Sequence, residues 1–169
     1  MEMNLPNSDW DNKPQVKKGN IGEQIVHEYL EKRGFVVYKP TTNMAHAFDR
    51  LAIKNKEKIM IVETKTKARL NKYPATGFNY NHYLEYKNIE KKHNLDVFVF
   101  FVDEMLGQVY GNYLRYMEQP AEISGVKYPL RLNNVIVFPL DNMKVLKTLT
   151  EEQANTIKKY QTRNYKYIA

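Results

Sequence analysis

Cysteine is absent from the 169 residues, which excludes a disulfide framework, a thiolate nucleophile and any zinc site built on thiolates. Long apolar runs are also missing. Nothing approaches the roughly 18 consecutive apolar residues of a membrane span, and the opening MEMNLPNSDWDNKPQ has no apolar core of the kind a signal peptide needs. Neither export nor membrane insertion is expected, and a cytoplasmic location fits the lack of cysteine. No P-loop glycine pattern occurs, so no nucleotide cofactor is expected. His27, His46, His82 and His93 show no metal-ligand spacing, which with the missing cysteines removes zinc fingers and zinc deaminases.

What is present is basic and aromatic. Lys+Arg 26 against Asp+Glu 19 leaves a net charge of +7, and a polyanion is the expected partner of such a chain. The 13 tyrosines and seven phenylalanines that accompany the lysines suit stacking on bases, although core packing explains any single ring equally well. With 43% hydrophobic and 27% charged residues, the chain can bury one core, and its length suits one domain.

Residues 1–17 carry two prolines and no periodic apolar pattern, and read as an extended arm. From Asn20, the residues Ile21, Ile25, Val26, Tyr29 and Leu30 recur at helical spacing and Gly34 closes the segment, which predicts a helix over about 20–33. FVVYK (35–39) reads as a strand. FDRLAI (48–53) and IMIVETK (59–65) flank the polar KNKEK and predict a β-hairpin. The stretch ARLNKYPATGFN (68–79), with Pro74 and Gly77, reads as a long functional loop. YNHYLEYKNIEKKHN is a second helix, and DVFVFFV (96–102) a strand covered on both faces. Gly107 begins a return strand, residues 117–131 read as irregular, VIVFP (135–139) as a last strand, and Thr150 with Gln153 as a capping box opening a final helix that runs into a basic tail.

Local conflict marks the chemistry. Strand 59–65 begins apolar on both faces and then presents Glu63 and Lys65, which period two places on one face. Ionised groups at the end of a central strand need compensation from a metal ion, a substrate phosphate or an ion pair. If the hairpin turns about Lys56, Lys54 faces Lys58 and Asp49 faces Glu63, with Cβ atoms about 4.5–5.5 Å apart. Two carboxylates that close repel unless a divalent cation lies between them, and Mg²⁺ fits hard oxygen ligands with positions left for water and phosphate. Lys65 would then hold the attacking water or offset charge in a phosphorane-like transition state. The structural alternative is a surface Lys65 paired with Glu63.

Asp49, thirteen intervening residues and then Glu63-Thr64-Lys65 resembles the D…ExK signature of the PD-(D/E)XK nuclease superfamily. The preceding GNIGEQIVHEYLEKRGFVVY is similar to the first helix and strand of its archaeal Holliday junction resolvase branch. Phe48 stands where the family name has proline. The resemblance covers roughly residues 18–102. It implies an α/β, restriction-endonuclease-like fold with an αβββαβ core and a mixed central sheet flanked by helices. Read along its length, the chain divides into an arm (1–17), a nuclease core (18–116) and an extension (117–169) whose strand and basic helix are expected to pack on the core, the resemblance itself giving no assignment after about residue 103. By the same resemblance Asp49 and Glu63 bind the metal, the Thr64 carbonyl adds a ligand, Glu23 completes the catalytic set and Lys65 is the catalytic lysine.

Asn20-x-x-Glu23 is equally a helix capping box. Glu23 nevertheless shares a stripe with Val26 and Leu30 that points toward the sheet. Gly19 and Gly22 allow close approach to a strand or a phosphate. Lys17, Lys18, Lys67, Arg69 and Lys72 are candidates for binding phosphates, as are His82 and Tyr83 for a lid or wedge beside the cleaved strand. A lone histidine opening a helix is also an ordinary surface or capping residue.

The activity these readings imply is Mg²⁺-dependent hydrolysis of DNA phosphodiesters, with Mn²⁺ able to substitute. The enzyme would be either structure-selective and resolvase-like or a phage or mobile-element nuclease. A homodimer is compatible, with VIVFP or the first helix as interface. The alternatives are a ribonuclease on the same fold and a non-catalytic basic nucleic-acid-binding module.

Overall fold

The structure is a computed structural model and describes residues 8–40, 48–70 and 73–161. A four-residue helix α1 (Ser8–Asp11) leads into α2 (Pro14–Glu31). The arm read over 1–17 is therefore helical from Pro14 onward. Proline fits the first turn, where its missing N–H has no partner to lose, so it starts this helix and breaks nothing. Asn20 consequently lies inside the helix, and the Asn20–Glu23 capping box does not exist. The helix ends at Glu31, and a turn carries the chain to Gly34, whose φ is 81°.

Strands β1 (Val36–Tyr38), β2 (Arg50–Asn55) and β3 (Lys58–Thr66) follow, then β4 (Ala75–Asn79), helix α3 (Tyr80–His93) and β5 (Asp96–Asp103). The expected αβββαβ order is present, with β4 added inside it. Next come β6 (Gln108–Tyr113), a short helix α4 (Leu114–Met117), β7 (Ala121–Ile123), β8 (Val126–Tyr128), β9 (Leu130–Leu132), β10 (Val135–Pro139), β11 (Lys144–Thr148) and α5 (Glu151–Lys158). The predicted capping box opens α5, with Thr150 accepting from the Gln153 N–H and the Gln153 side chain from that of Thr150.

Six strands form the central sheet in the order β1-β2-β3-β5-β6-β11. Only β3 and β5 run parallel, so the sheet is mixed and its two most apolar strands lie at its centre. On one face α2 and α5 cover Ala52, Met60, Val62, Phe100, Val102 and Val109. On the other, α3, α4 and a three-stranded sheet β4-β10-β9 cover Ile61, Val97, Val99, Phe101 and Tyr110. Val97, Val99, Phe101 and Val102 of β5 are each 0% exposed, and each such side chain contributes about 1.5–3 kcal/mol of burial. The expected covering of this strand on both faces is thus observed.

Several expectations differ from the structure. The long loop over 68–79 contains β4, which pairs antiparallel with β10 from Ala75↔Pro139 to Asn79↔Val135. Pro74 sits just outside that strand. Gly77 is required because a Cβ there would lie 2.0 Å from the Ile136 carbonyl oxygen. Both residues look like breakers in isolation. The segment 117–131, read as irregular, holds β7, β8 and β9, whose three-residue lengths are too short to show a period. VIVFP is not the last strand, since β11 follows and becomes the sixth member of the central sheet. Nor is VIVFP available as an interface: Ile136, Val137 and Phe138 are buried between β4 and β9.

Candidate active site

The β2–β3 hairpin pairs Arg50 with Val62, Leu51 with Ile61, Ala52 with Met60 and Ile53 with Ile59. That is the register expected of a hairpin turning about Lys56. One correction applies at its tip, where a bulge between Ile53 and Asn55 sets Asn55, and not Lys54, opposite Lys58. One step beyond Arg50↔Val62, the same register brings Asp49 beside Glu63. The Asp49 carboxylate reaches across to accept the Thr64 backbone N–H at 2.7 Å from Oδ2.

Asp49, Glu63 and Lys65 share the sheet face that carries Ile61 and Leu51 and is covered by α3. Glu63 is buried, and its Oε1 accepts from Lys65 Nζ at 2.5 Å. Tyr86 of α3, itself 2% exposed, closes the group from below. Its hydroxyl is 3.4 Å from Lys65 Nζ and hydrogen-bonds Glu63. The ammonium lies 5.8 Å from the centre of the Phe78 ring and 5.9 Å from that of Tyr86.

On this face two carboxyl groups, Asp49 and Glu63, share the single ammonium of Lys65. Burial pushes the Glu63 carboxyl up to about 7, against the opposing pull of Lys65, with the Asp49 charge adding to the rise. Burial also raises Asp49, with the Thr64 N–H and Lys65 pulling the other way. A divalent cation would supply the missing positive charge, and the donors are hard oxygens few enough to leave room for water and phosphate. The residues therefore fit such an ion. Among the described residues no three Asp, Glu, His or Cys side chains are already arranged as a cage.

Glu23 is placed differently from the other three. It projects from α2 onto the opposite side of the sheet, where Arg50 Nη2 lies 3.1 Å and Lys39 Nζ 3.9 Å from its Oε2. Its carboxyl is raised by burial, with the nearby Asp49 charge contributing. Glu23 is thus close enough to feel the site electrostatically while its own charge is held by Arg50. Arg50 escaped the sequence reading, although period two puts it on the face opposite Asp49, toward the first helix. Its Nη1 also donates to the Asp49 carbonyl at 3.1 Å, so it braces both acids. Tyr86 lies in the predicted second helix, and no local pattern links it to Lys65.

The candidate phosphate-binding residues scatter. Lys18 is a correction: its side chain is 10% exposed and its Nζ lies 2.8 Å from Glu104 Oε2, so it serves the interior and is withdrawn from the surface. Lys67 Nζ donates to the Gly77 carbonyl at 2.7 Å, which ties the end of β3 to β4. The Arg69 backbone N–H donates to Asp103 at 3.3 Å. Lys17 is half-buried, 6.0 Å from the Tyr160 ring. His82 is exposed on α3, 6.4 Å from the Tyr86 ring. Tyr83 is half-buried, stacks on Tyr80 and hydrogen-bonds Glu118. Lys72 lies outside the described residues. Gly22 meets a strand: a Cβ there would fall 1.8 Å from Thr66 Oγ1.

No protein-family model matches the chain, and no curated protein sequence matches it. Among solved structures it is similar to Hjc, a Holliday junction resolvase of the archaeal hyperthermophile Archaeoglobus fulgidus. The TM-score is 0.48 and the identity 12%, over 73% of this chain and 90% of that one. No helix among the described residues is long and apolar enough to cross a membrane.

Proposed function

We propose that the chain is a divalent-metal-dependent endonuclease that hydrolyses DNA phosphodiester bonds at Asp49, Glu63 and Lys65, with Mg²⁺ as the ion. The observation that carries this reading is the convergence of a buried acid, a half-buried acid and one ammonium on a single face at the carboxyl end of β3, with Asp49 Oδ2 anchored 2.7 Å from the Thr64 nitrogen. A structural ion pair matches one acid to one base, whereas here Asp49 and Glu63 share Lys65 on one face of the sheet.

Asp49 and Glu63, with the Thr64 carbonyl, would hold the cation. When bound, it supplies Lewis-acid polarisation of the phosphate and lowers the pKa of water. Lys65 orients the nucleophilic water or stabilises charge on the non-bridging oxygens as the phosphorus becomes five-coordinate. Tyr86 and Glu63 fix the position of the lysine. Arg50 neutralises Glu23 and holds the Asp49 backbone, which limits the site to the acids needed for the ion. Choice among junctions, flaps and plain duplexes belongs to the surface around this centre.

Nicking of supercoiled plasmid tests the proposal. Cleavage is expected with Mg²⁺ or Mn²⁺, none with EDTA, and a loss of about 10²–10³-fold in Lys65→Ala, the size of removing one transition-state donor. Plasmid shifted in a gel but intact in every lane would instead identify a binding module. Preferential cleavage of a matched RNA would identify a ribonuclease.

A further inference from the structure

Resting on the nuclease reading above, we infer that Arg131 of β9, set over the Tyr80 ring beside the β9–β10 turn, is a stacking platform for an unpaired base of the DNA strand that leads to the active site. The geometry is built from both sides of the turn. The Arg131 guanidinium sits 4.0 Å from the centre of the Tyr80 ring. Its Nε donates to the Asn133 carbonyl at 3.1 Å, and Asn133 takes the left-handed conformation, φ 52°, that points this carbonyl back. The next carbonyl, of Asn134, accepts the Tyr80 N–H at 2.8 Å, which docks the turn on the start of α3. The guanidinium is therefore held in place before any ligand arrives, and less order has to be imposed on binding.

Arg131 is also exposed and, among the described residues, has no carboxylate partner. Lys18, Arg50, Lys65, Lys87 and Arg115 all have one. An exposed guanidinium held over a ring offers what an unstacked nucleotide needs: a planar group for the base and N–H donors for the adjacent phosphate.

The platform is continuous with the active site. Tyr80 stacks on Tyr83 at 5.6 Å, Tyr83 packs on Phe138 at 6.2 Å, Phe138 on Phe78 at 5.7 Å, and the Phe78 ring lies 5.8 Å from Lys65 Nζ. Five steps of this size place Arg131 nearer to Lys65 than one turn of duplex, about 34 Å. The rings between them are packed against the core and give the two points a fixed separation. Arg131 and Phe138 both come from the segment after residue 117, so this part of the chain would read the substrate that the hairpin cuts.

Fluorescence anisotropy with the full chain separates the possibilities, using a labelled blunt DNA duplex and the same duplex with a single-stranded overhang, in Ca²⁺ to prevent turnover. Wild type is expected to prefer the overhang, and Arg131→Ala to lose roughly ten-fold in affinity for it, the size of one base stack, with blunt-duplex affinity little changed. Arg131→Lys keeps the charge but not the plane and is expected to recover only a minor part. Equal losses on both probes, full recovery in Arg131→Lys, no loss, or no overhang preference in wild type would each overturn the inference. Circular dichroism confirms that both variants are folded. The nuclease reading stands or falls separately on the Lys65→Ala nicking assay, so either result is interpretable without the other.

Discussion

Two buried lysine–glutamate pairs lie on opposite faces of the central sheet and differ in one respect. Lys18 of α2 meets Glu104 after β5 at 2.8 Å, with side-chain exposures of 10% and 0%. Lys65 meets Glu63 within β3 at 2.5 Å, with exposures of 19% and 6%. In the first, one cation answers one anion and α2 seals both from water. In the second, Asp49 joins from the neighbouring strand, the charges no longer cancel, and the lysine keeps a path to solvent. A balanced pair is architecture. An unbalanced, partly open one is what the proposed cation site requires.

The contrast can be broken most severely at the balanced pair. Lys18→Met leaves Glu104 buried without a partner and is expected to cost about 3–5 kcal/mol, measured by urea unfolding, with no change in how Mg²⁺ affects stability. A loss below about 1 kcal/mol, the value of a surface pair, would show that Lys18 is not the architectural member.

The unbalanced pair should respond in the opposite sense. Glu63 has a folded-state pKa near 7, above its ordinary 4.5. The folded state therefore holds a proton that the unfolded chain has released between those values. Stability is undiminished below about pH 4.5 and falls as pH rises toward 7, by up to roughly 3 kcal/mol. Glu63→Gln removes that penalty. Its melting temperature should exceed that of wild type at pH 8 and converge with it near pH 4, even though cleavage is lost. Added Mg²⁺ should raise the wild-type melting temperature at pH 8 and leave that of Glu63→Gln nearly unmoved. A variant less stable than wild type at pH 8 would mean that Glu63 is as structural as Glu104.

The smallest effect sharpens the comparison between the two faces. Gly22 lies four residues after Lys18 and next to Glu23, where α2 passes nearest to β3. Gly22→Ala puts a methyl against Thr66 Oγ1 and is expected to cost about 1–3 kcal/mol, much of it recovered in Gly22→Ala/Thr66→Ala. Thermal melts of the four proteins give the coupling. Additive losses would place the close approach elsewhere on the helix.

Much of the site was legible because it is local. The acids of the hairpin are fifteen residues or fewer apart in sequence, and the polar KNKEK between two apolar runs puts the turn about Lys56, which sets the register. That register puts Asp49 beside Glu63 without knowledge of any other element. Helix α5 was legible for the same reason, since its capping box is complete within four residues. Pro14, Gly77 and the three short strands over 121–132 misled because their local signals describe backbone freedom, while their roles depend on what packs against them.

Sequence alone determined the hairpin, its register and the burial of β5, since side-chain period and β-branched content act over a few residues. Only tertiary structure decided that Lys18 is interior, that Arg50 claims Glu23, that Tyr86 closes over Lys65 and that β4 pairs with β10. Each of those outcomes joins groups far apart along the chain, and which charge finds which partner is settled by the packing of whole elements on the sheet, a quantity that no short window of residues contains.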